Sequence, residues 1–142
     1  MQPALFDSSV YISALCQGND AALALRRLAT DVPLWLSSVV LEELYAGAGG
    51  PESKVVERLG RDFERAKRIL FPNLSDWIEA GRVLACLTDK YHYEQIGQGR
   101  LTNDALIAMS AGRLGITVLT ANERDFKKLA EFRHFQWRVT KL

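Results

Sequence analysis

Apolar residues along the chain fall into two patterns. PALF (residues 3–6), PLWLS (33–37), ITVLT (116–120) and FQWRV (135–139) are short, nearly unbroken apolar runs. Strands buried on both faces look like this. The stretches between them carry helical spacing and helix punctuation. Ser8 or Ser9 can cap VYISALCQ, and Asn19 or Asp20 can cap AALALRRLA. VVLEELYAG follows the second run and is stopped by Gly47, Gly49, Gly50 and Pro51. Residues 52–70 read as one charged amphipathic helix, with Val55, Val56, Leu59, Phe63, Ala66, Ile69 and Leu70 at helical intervals. Pro72 and Asn73 break it. Ser75 opens the next helix, with Trp77, Ile78, Val83, Leu84 and Leu87 on its apolar side. YHYEQIGQGR is polar and contains glycine, so it reads as a loop. Thr102 caps NDALIAMSAGRLG, and NERDFKKLAEF is a turn with a short helix. Strands alternating with helices predict an α/β fold in which a mostly parallel central sheet is flanked by helices. No internal repeat, low-complexity segment or linker divides residues 1–142, which are expected to form one domain.

Composition adds exclusions. With 142 residues, 48% hydrophobic and 25% charged, the chain is an ordinary globular sequence with enough length for a core. No apolar run approaches the roughly 20 residues that span a bilayer. MQPALFDSSV lacks a basic region followed by a long apolar stretch, so no signal peptide is visible and a cytoplasmic location is expected. Cys16 and Cys86 stand alone in apolar helical segments and read as two buried thiols, not a disulfide or metal pair. The net charge of +1 does not by itself mark a nucleic-acid binder.

The candidate chemistry lies in the acids. Open parallel sheets bind ligands beyond the carboxyl ends of their strands. Asp7 follows the first strand, and Asn122 and Asp125 follow ITVLT. Glu43 sits in the early turns of the helix after PLWLS, and Asp104 in the first turn of the helix from Thr102. All of them can reach one sheet edge. Each also has a plainer role: Asp7 as a helix cap, Asp104 beside a helix dipole, Asp125 in a surface turn, and one of Glu42 and Glu43 as a solvated helix residue. Clustered carboxylates raise one another's pKa unless a cation stands among them. An all-oxygen set suits Mg²⁺ or Mn²⁺, and no Cys or His motif has zinc spacing.

The order LFDSSVYI, SSVVLEELYAG, LTNDALIAMSAGRLGITVLTANERDF resembles the PIN-domain nucleases, and within them the VapC-type toxins. The likeness runs from residue 4 to about residue 140. It implies a three-layer PIN-like fold. It places Asp7, Glu43, Asp104 and Asp125 on the family's four acidic positions, with Thr120 and Asn122 alongside, and selects Glu43 over Glu42 because Leu44 follows it. Ser8 and Ser9 stand where relatives commonly carry Thr-Asn, Ser-Ser or Ser-Asn, and Ser8 takes a supporting role. Several relatives have Asp where Asn122 stands, so either Asn122 or Asp125 is the one nearer a metal. The resemblance further implies a Mg²⁺- or Mn²⁺-dependent endoribonuclease. Asp7, Glu43 and Asp104 would hold the metal, and a metal-activated water would leave 5′-phosphate and 3′-hydroxyl ends.

For RNA, residues 51–70 hold six cations (Lys54, Arg58, Arg61, Arg65, Lys67, Arg68) against four acids, which fits a solvated helix face or phosphate contacts. Arg100 and Arg124 flank the acidic positions and are better placed to meet a scissile phosphate. Tyr91, His92 and Tyr93 could stack on unpaired bases or form a half-buried aromatic loop. The family also implies a homodimer and a small antitoxin whose C-terminal segment lies near the active site. YISALC and the 52–70 helix are expected to supply exposed apolar surface for them. Alternatives are a PIN-like module that binds RNA or protein without cutting, and a haloacid-dehalogenase-type phosphohydrolase. The latter wants a second Asp where Ser9 stands. A phosphoacceptor receiver domain would need adjacent acids after the first strand, and there are none.

Overall fold

A computed structural model describes residues 2–18, 32–92 and 100–140. Its strands are β1 (Ala4–Phe6), β2 (Leu34–Ser37), β3 (Ile69–Leu70), β4 (Thr117–Thr120) and β5 (Trp137–Val139). Its helices are α1 (Ser8–Cys16), α2 (Ser38–Gly47), α3 (Pro51–Arg65), α4 (Leu74–Tyr91), α5 (Arg100–Arg113) and α6 (Glu123–Ala130). The strands form one sheet in the order β3-β2-β1-β4-β5. Every pairing in it is parallel: Leu5 stands opposite both Trp35 and Val118, Leu36 opposite Ile69, and Val118 opposite Trp137. This is the α/β architecture with a parallel central sheet that the alternating pattern predicts.

Parallel neighbours need crossovers, and the crossover helices cover the sheet on both faces. Leu5, Leu36 and Val118 of the three central strands are therefore fully enclosed. They pack with Val10, Tyr11, Val40, Val83, Ile107 and Phe126 from the surrounding helices. The chain builds outward from β1 to β2 and β3, then returns to the other side of β1 with β4. The sheet thus has its topological switch point between β1 and β4.

The helix expected over 52–70 is two elements. α3 stops at Arg65, Lys67 takes a left-handed backbone (φ 56°), and Arg68 N–H returns to the carbonyl of Phe63 at 3.0 Å. Ile69 and Leu70 then join the sheet beside β2. They fall in phase with the apolar stripe of α3, which hides a two-residue strand from a periodicity argument. α5 begins at Arg100, so Thr102 lies inside the first turn instead of capping it, and Asp104 moves to the second turn. Asp7, not Ser8 or Ser9, is the N-cap of α1. α4 opens at Leu74, behind an Asn73 cap. Trp77 (56% exposed) and Ile78 point outward, while Ala80, Val83 and Leu87 make the buried face of α4. Cys16 is exposed and Cys86 half-buried, both as free thiols, so neither is the buried thiol expected. The AALALRRLA segment and residues 93–99 of the expected loop lie outside the described residues.

The start of α4 is locked to the end of α5. Asn73 and Asp76 form a reciprocal capping box, with hydrogen bonds of 3.0 and 2.9 Å. Arg113 Nε donates to both Asp76 oxygens at 3.1 Å, and its NH2 donates to the Phe71 carbonyl at 3.2 Å.

Candidate active site

The crevice beyond a switch point is the expected ligand position in an open parallel sheet. Here its floor is the carboxyl end of β1 beside that of β4. Asp7 N–H donates to the Leu119 carbonyl at 3.0 Å, which fixes the residue after β1 against β4. The chain then turns into α1, and the Asp7 carboxylate caps that helix through Val10 N–H at 3.4 Å. Asp7 is 1% exposed.

Two hydroxyls hold the carboxylate. Ser9 Oγ donates to Oδ1 at 2.5 Å, and Thr120 Oγ1 donates to Oδ2 at 2.6 Å. The turn after β4 supports both hydroxyls in return. Ala121 N–H donates to Ser9 Oγ at 3.1 Å, and Asn122 N–H donates to Thr120 Oγ1 at 2.8 Å. The same turn carries Asp125. Asn122 Nδ2 donates to Asp125 Oδ2 at 2.8 Å, and Asn122 Oδ1 caps α6 by accepting from Asp125 N–H at 3.4 Å. Asp7, Ser9, Thr120, Asn122 and Asp125 therefore belong to one continuous hydrogen-bond chain.

Glu43 approaches from α2. Its Oε1 is buried and accepts no hydrogen bond. Burial is the main cause that holds its carboxyl above the ordinary value. Ser8 and Asn103 favour its anion, while the charges of Asp7 and Glu42 push the value further up. Burial likewise raises Asp7, against the four hydrogen bonds that favour its anion. Asp104 is buried (3% exposed), one residue beyond the Asn103 that faces Glu43. Among the described residues no three His, Cys, Asp or Glu side chains converge as a ready ligand set.

The structure thus joins Asp7 with Thr120, Asn122 and Asp125, sets Glu43 within reach of the Asp7 charge, and buries Asp104 on the neighbouring helix. Arg124 is exposed beside Asp125. The hydroxyl on Asp7 belongs to Ser9, and Ser8 serves Glu43 instead. Sequence patterning offers Ser9 only as a helix cap and assigns no role to Asn103. Ser9 stands two residues after Asp7, the spacing at which a first-turn hydroxyl reaches back to a cap, and this could have found it. Asn103 has no such signal. The rim of the site continues into a small cleft of about 120 Å³ walled by Ile12, Leu15, Cys16 and Leu44, with Glu43 on its edge.

Fold and crevice define the class: a doubly flanked parallel sheet that gathers carboxylates at its carboxyl edge. Within that class the family is decided by sequence, because the PIN domain profile matches residues 4–132. The chain belongs to the PIN domain family, whose members are nucleases. Its fold is shared by solved structures of low identity. The DNA-bound VapBC structure from Salmonella typhimurium is 22% identical with a TM-score of 0.67, covering 98% of each chain. VapBC2 from Rickettsia felis, bound to a promoter DNA fragment, is 20% identical with a TM-score of 0.67, covering 99% of this chain and 100% of that one. VapBC-1 from nontypeable Haemophilus influenzae is 22% identical with a TM-score of 0.66, covering 97% and 98%. No curated protein matches the sequence significantly.

Proposed function

We propose that the chain is a divalent-metal-dependent endoribonuclease and the toxin of a toxin–antitoxin pair. One observation carries the reading. Two carboxylates, buried Asp7 and half-buried Glu43, lie within reach of each other's charge at the switch-point crevice, and one Glu43 oxygen is buried without a hydrogen bond. Such an arrangement opposes its own ionisation and wants a cation. The donor set fits a hard ion. Mg²⁺ is commonly held by one or two carboxylates and keeps several waters, so it does not need three converging protein ligands. Mn²⁺ suits the same oxygens.

Asp7 and Glu43 would hold the ion, with Asp104 reached directly or through water. A bound ion supplies charge neutralisation at the phosphoryl oxygens and makes water a better nucleophile. The chain's part is positioning. Ser9 and Thr120 hold the Asp7 carboxylate in one plane, Asn122 holds Asp125 at the crevice wall, and the sheet edge keeps these groups fixed while RNA enters. Arg124 and Arg100 are assigned to the RNA phosphates, and the products would carry 5′-phosphate and 3′-hydroxyl ends.

The neighbours of similar fold are VapBC complexes, which supports a cognate antitoxin. The apolar cleft of Ile12, Leu15, Cys16 and Leu44 opens onto Glu43, where a bound segment would block access. A homodimer belongs to the same reading. The exposed apolar side chains match the expectation in part: Ile12 of α1 is 49% exposed, whereas α3 buries Val56, Leu59 and Phe63, and Phe71, Leu74 and Trp77 also stand open. No described helix is long and apolar enough to cross a membrane. A cytoplasmic location is part of the proposed reading, as the compartment in which RNA would be met.

Labelled RNA incubated with the chain in Mg²⁺, Mn²⁺ or EDTA, next to Asp7→Asn, tests the reading. Discrete fragments that require both ion and Asp7 are the expected result. Metal-independent cleavage, or a fully active Asp7→Asn, would sink it. RNA binding without cleavage would favour a non-cutting module.

A further inference from the structure

We infer that Ser9 and Thr120 are positioning residues that fix the Asp7 carboxylate for a cation through two separate relays, of which the Thr120 relay also secures Asp125. The inference rests on the proposed use of Asp7 as a metal ligand and goes beyond it, because it says which atoms orient that ligand and which backbone groups hold those atoms in turn.

Hydrogen-bond direction carries the argument. A serine or threonine hydroxyl has one proton to give. Ser9 Oγ already accepts from Ala121 N–H (3.1 Å), and Thr120 Oγ1 already accepts from Asn122 N–H (2.8 Å). Those backbone donors cannot reverse. Each hydroxyl therefore turns its proton to the remaining neighbour, and for both that neighbour is Asp7, at 2.5 and 2.6 Å. The two hydroxyls lie 3.5 Å apart, and with both protons committed to the carboxylate they do not bond each other. The result is two parallel relays, each running from a backbone N–H through a hydroxyl to one carboxylate oxygen. Both start in the turn after β4 and both end on the residue after β1.

Oδ1 receives the Ser9 hydroxyl and the Val10 N–H (3.4 Å), and Oδ2 receives the Thr120 hydroxyl. The relays have unequal reach. Thr120 is followed by the turn whose Asn122 holds Asp125, so loss of its hydroxyl loosens two carboxylates. Loss of Ser9 loosens one, and the Val10 N–H still restrains Oδ1.

The test uses Thr120→Val, which keeps the shape and removes the hydroxyl, Thr120→Ser, which restores it, and Ser9→Ala. Three readouts are taken: Mn²⁺ affinity by electron paramagnetic resonance, RNA cleavage as kcat and KM, and amide hydrogen exchange at residues 121 and 122 in metal-free protein. Outer-shell partners of a metal ligand typically contribute about 10–100-fold in affinity or activity. Thr120→Val should lose Mn²⁺ affinity and kcat in that range with KM unchanged, and should lose protection at residue 122. Thr120→Ser should recover all three. Ser9→Ala should show a smaller loss, with protection lost at residue 121. Unchanged Mn²⁺ affinity in Thr120→Val and Ser9→Ala overturns the proposal, as does a parent chain whose Mn²⁺ binding ignores Asp7→Asn. Asp7-dependent Mn²⁺ binding that weakens in Thr120→Val, in a chain that never cuts RNA, would uphold the positioning role and sink the nuclease reading.

Discussion

Asp7 and Asp76 are both buried carboxylates at the start of a helix, 1% and 2% exposed, and they are satisfied in opposite ways. Asp76 receives a guanidinium on both oxygens and completes a capping box, so its charge is neutralised within the fold. Asp7 receives hydroxyls and a backbone N–H, and the nearby charge is another acid, Glu43. A buried anion with a cation holds structure together. A buried anion given only dipoles and a like charge opposes its own ionisation, which is the feature the proposed metal role uses. The contrast separates stability from function within one sheet, since Asp76 ties α4 to α5 while Asp7 faces the crevice between β1 and β4.

The largest effect should come from breaking the functional side. Asp7→Asn removes the charge and keeps the shape. Cleavage should fall by a factor on the order of 10³, as expected when charge stabilisation of a phosphoryl transition state is lost. The metal-free protein should melt no lower than the parent at neutral pH, because the variant no longer buries a charge near Glu43. A lowered melting temperature with activity retained would make Asp7 a structural cap and erase the contrast.

The structural side should answer in the opposite way. Arg113→Ala leaves Asp76 buried and unpaired. Removing one partner of a buried pair costs several kcal/mol, and with Arg113 32% exposed a loss of about 2–3 kcal/mol is expected. Denaturant unfolding should show it, while Mn²⁺ affinity stays at the parent value. Weakened Mn²⁺ binding in Arg113→Ala would mean that the two regions are coupled and that the division is false.

What was legible in sequence follows the same division. Four strands and the parallel sheet could be read because buried strands leave unbroken apolar runs, as ITVLT does. β3 could not, since Ile69 and Leu70 continue the helical stripe of α3 and the break occurs at Lys67, a residue that does not announce a left-handed turn. Asp7 and Asp125 could be placed at one edge from the strand ends, whereas the expected gathering of four acids is not seen as a ready ligand set among the described residues. Their order in the chain was the stronger guide, because Asp7 alone is indistinguishable from a cap and is in fact also one. The orienting groups were less legible. Ser9 and Ser8 are chemically identical, and which of them meets Asp7 depends on how α1 leaves the sheet. Asp76 and Arg113 lie 37 residues apart and gave no sign of their pairing.

The pH response sharpens the comparison further. Asp7 and Glu43 are raised above ordinary values of 3.8 and 4.5 by burial. Between the ordinary and the raised values the folded chain binds more protons than the unfolded one, so stability falls as pH rises. The contribution of these two groups is complete below their unfolded pKa values and is lost as pH climbs through the folded ones. A tenfold difference in proton affinity between the folded and unfolded states corresponds to about 1.4 kcal/mol. In EDTA, the melting temperature of the parent relative to Asp7→Asn should therefore improve on acidification from neutral pH. Saturating Mn²⁺ should reverse the trend, because the bound ion favours the anions. A difference independent of pH in EDTA would show that Asp7 ionises in the folded state as easily as in the unfolded one.

The smallest expected effect separates two neighbours on α2. Glu42 is exposed and Glu43 is turned inward with a buried, unbonded oxygen. Glu42 reaches the site only through its charge, which adds to the causes that raise Glu43. Exposed charges act weakly at such range and are screened by salt. Glu42→Gln should thus leave stability within about 0.5 kcal/mol of the parent, as surface substitutions usually do. It should ease ionisation of Glu43 slightly, so any change in Mn²⁺ affinity should be small and should vanish at high ionic strength. Glu43→Gln should instead weaken Mn²⁺ binding at every ionic strength, because it removes an oxygen assigned to the ion. If the two substitutions weakened Mn²⁺ equally and with the same salt dependence, Glu43 would act through space like its neighbour, and Asp7 would be left as the crevice's single direct contact from this side of the sheet.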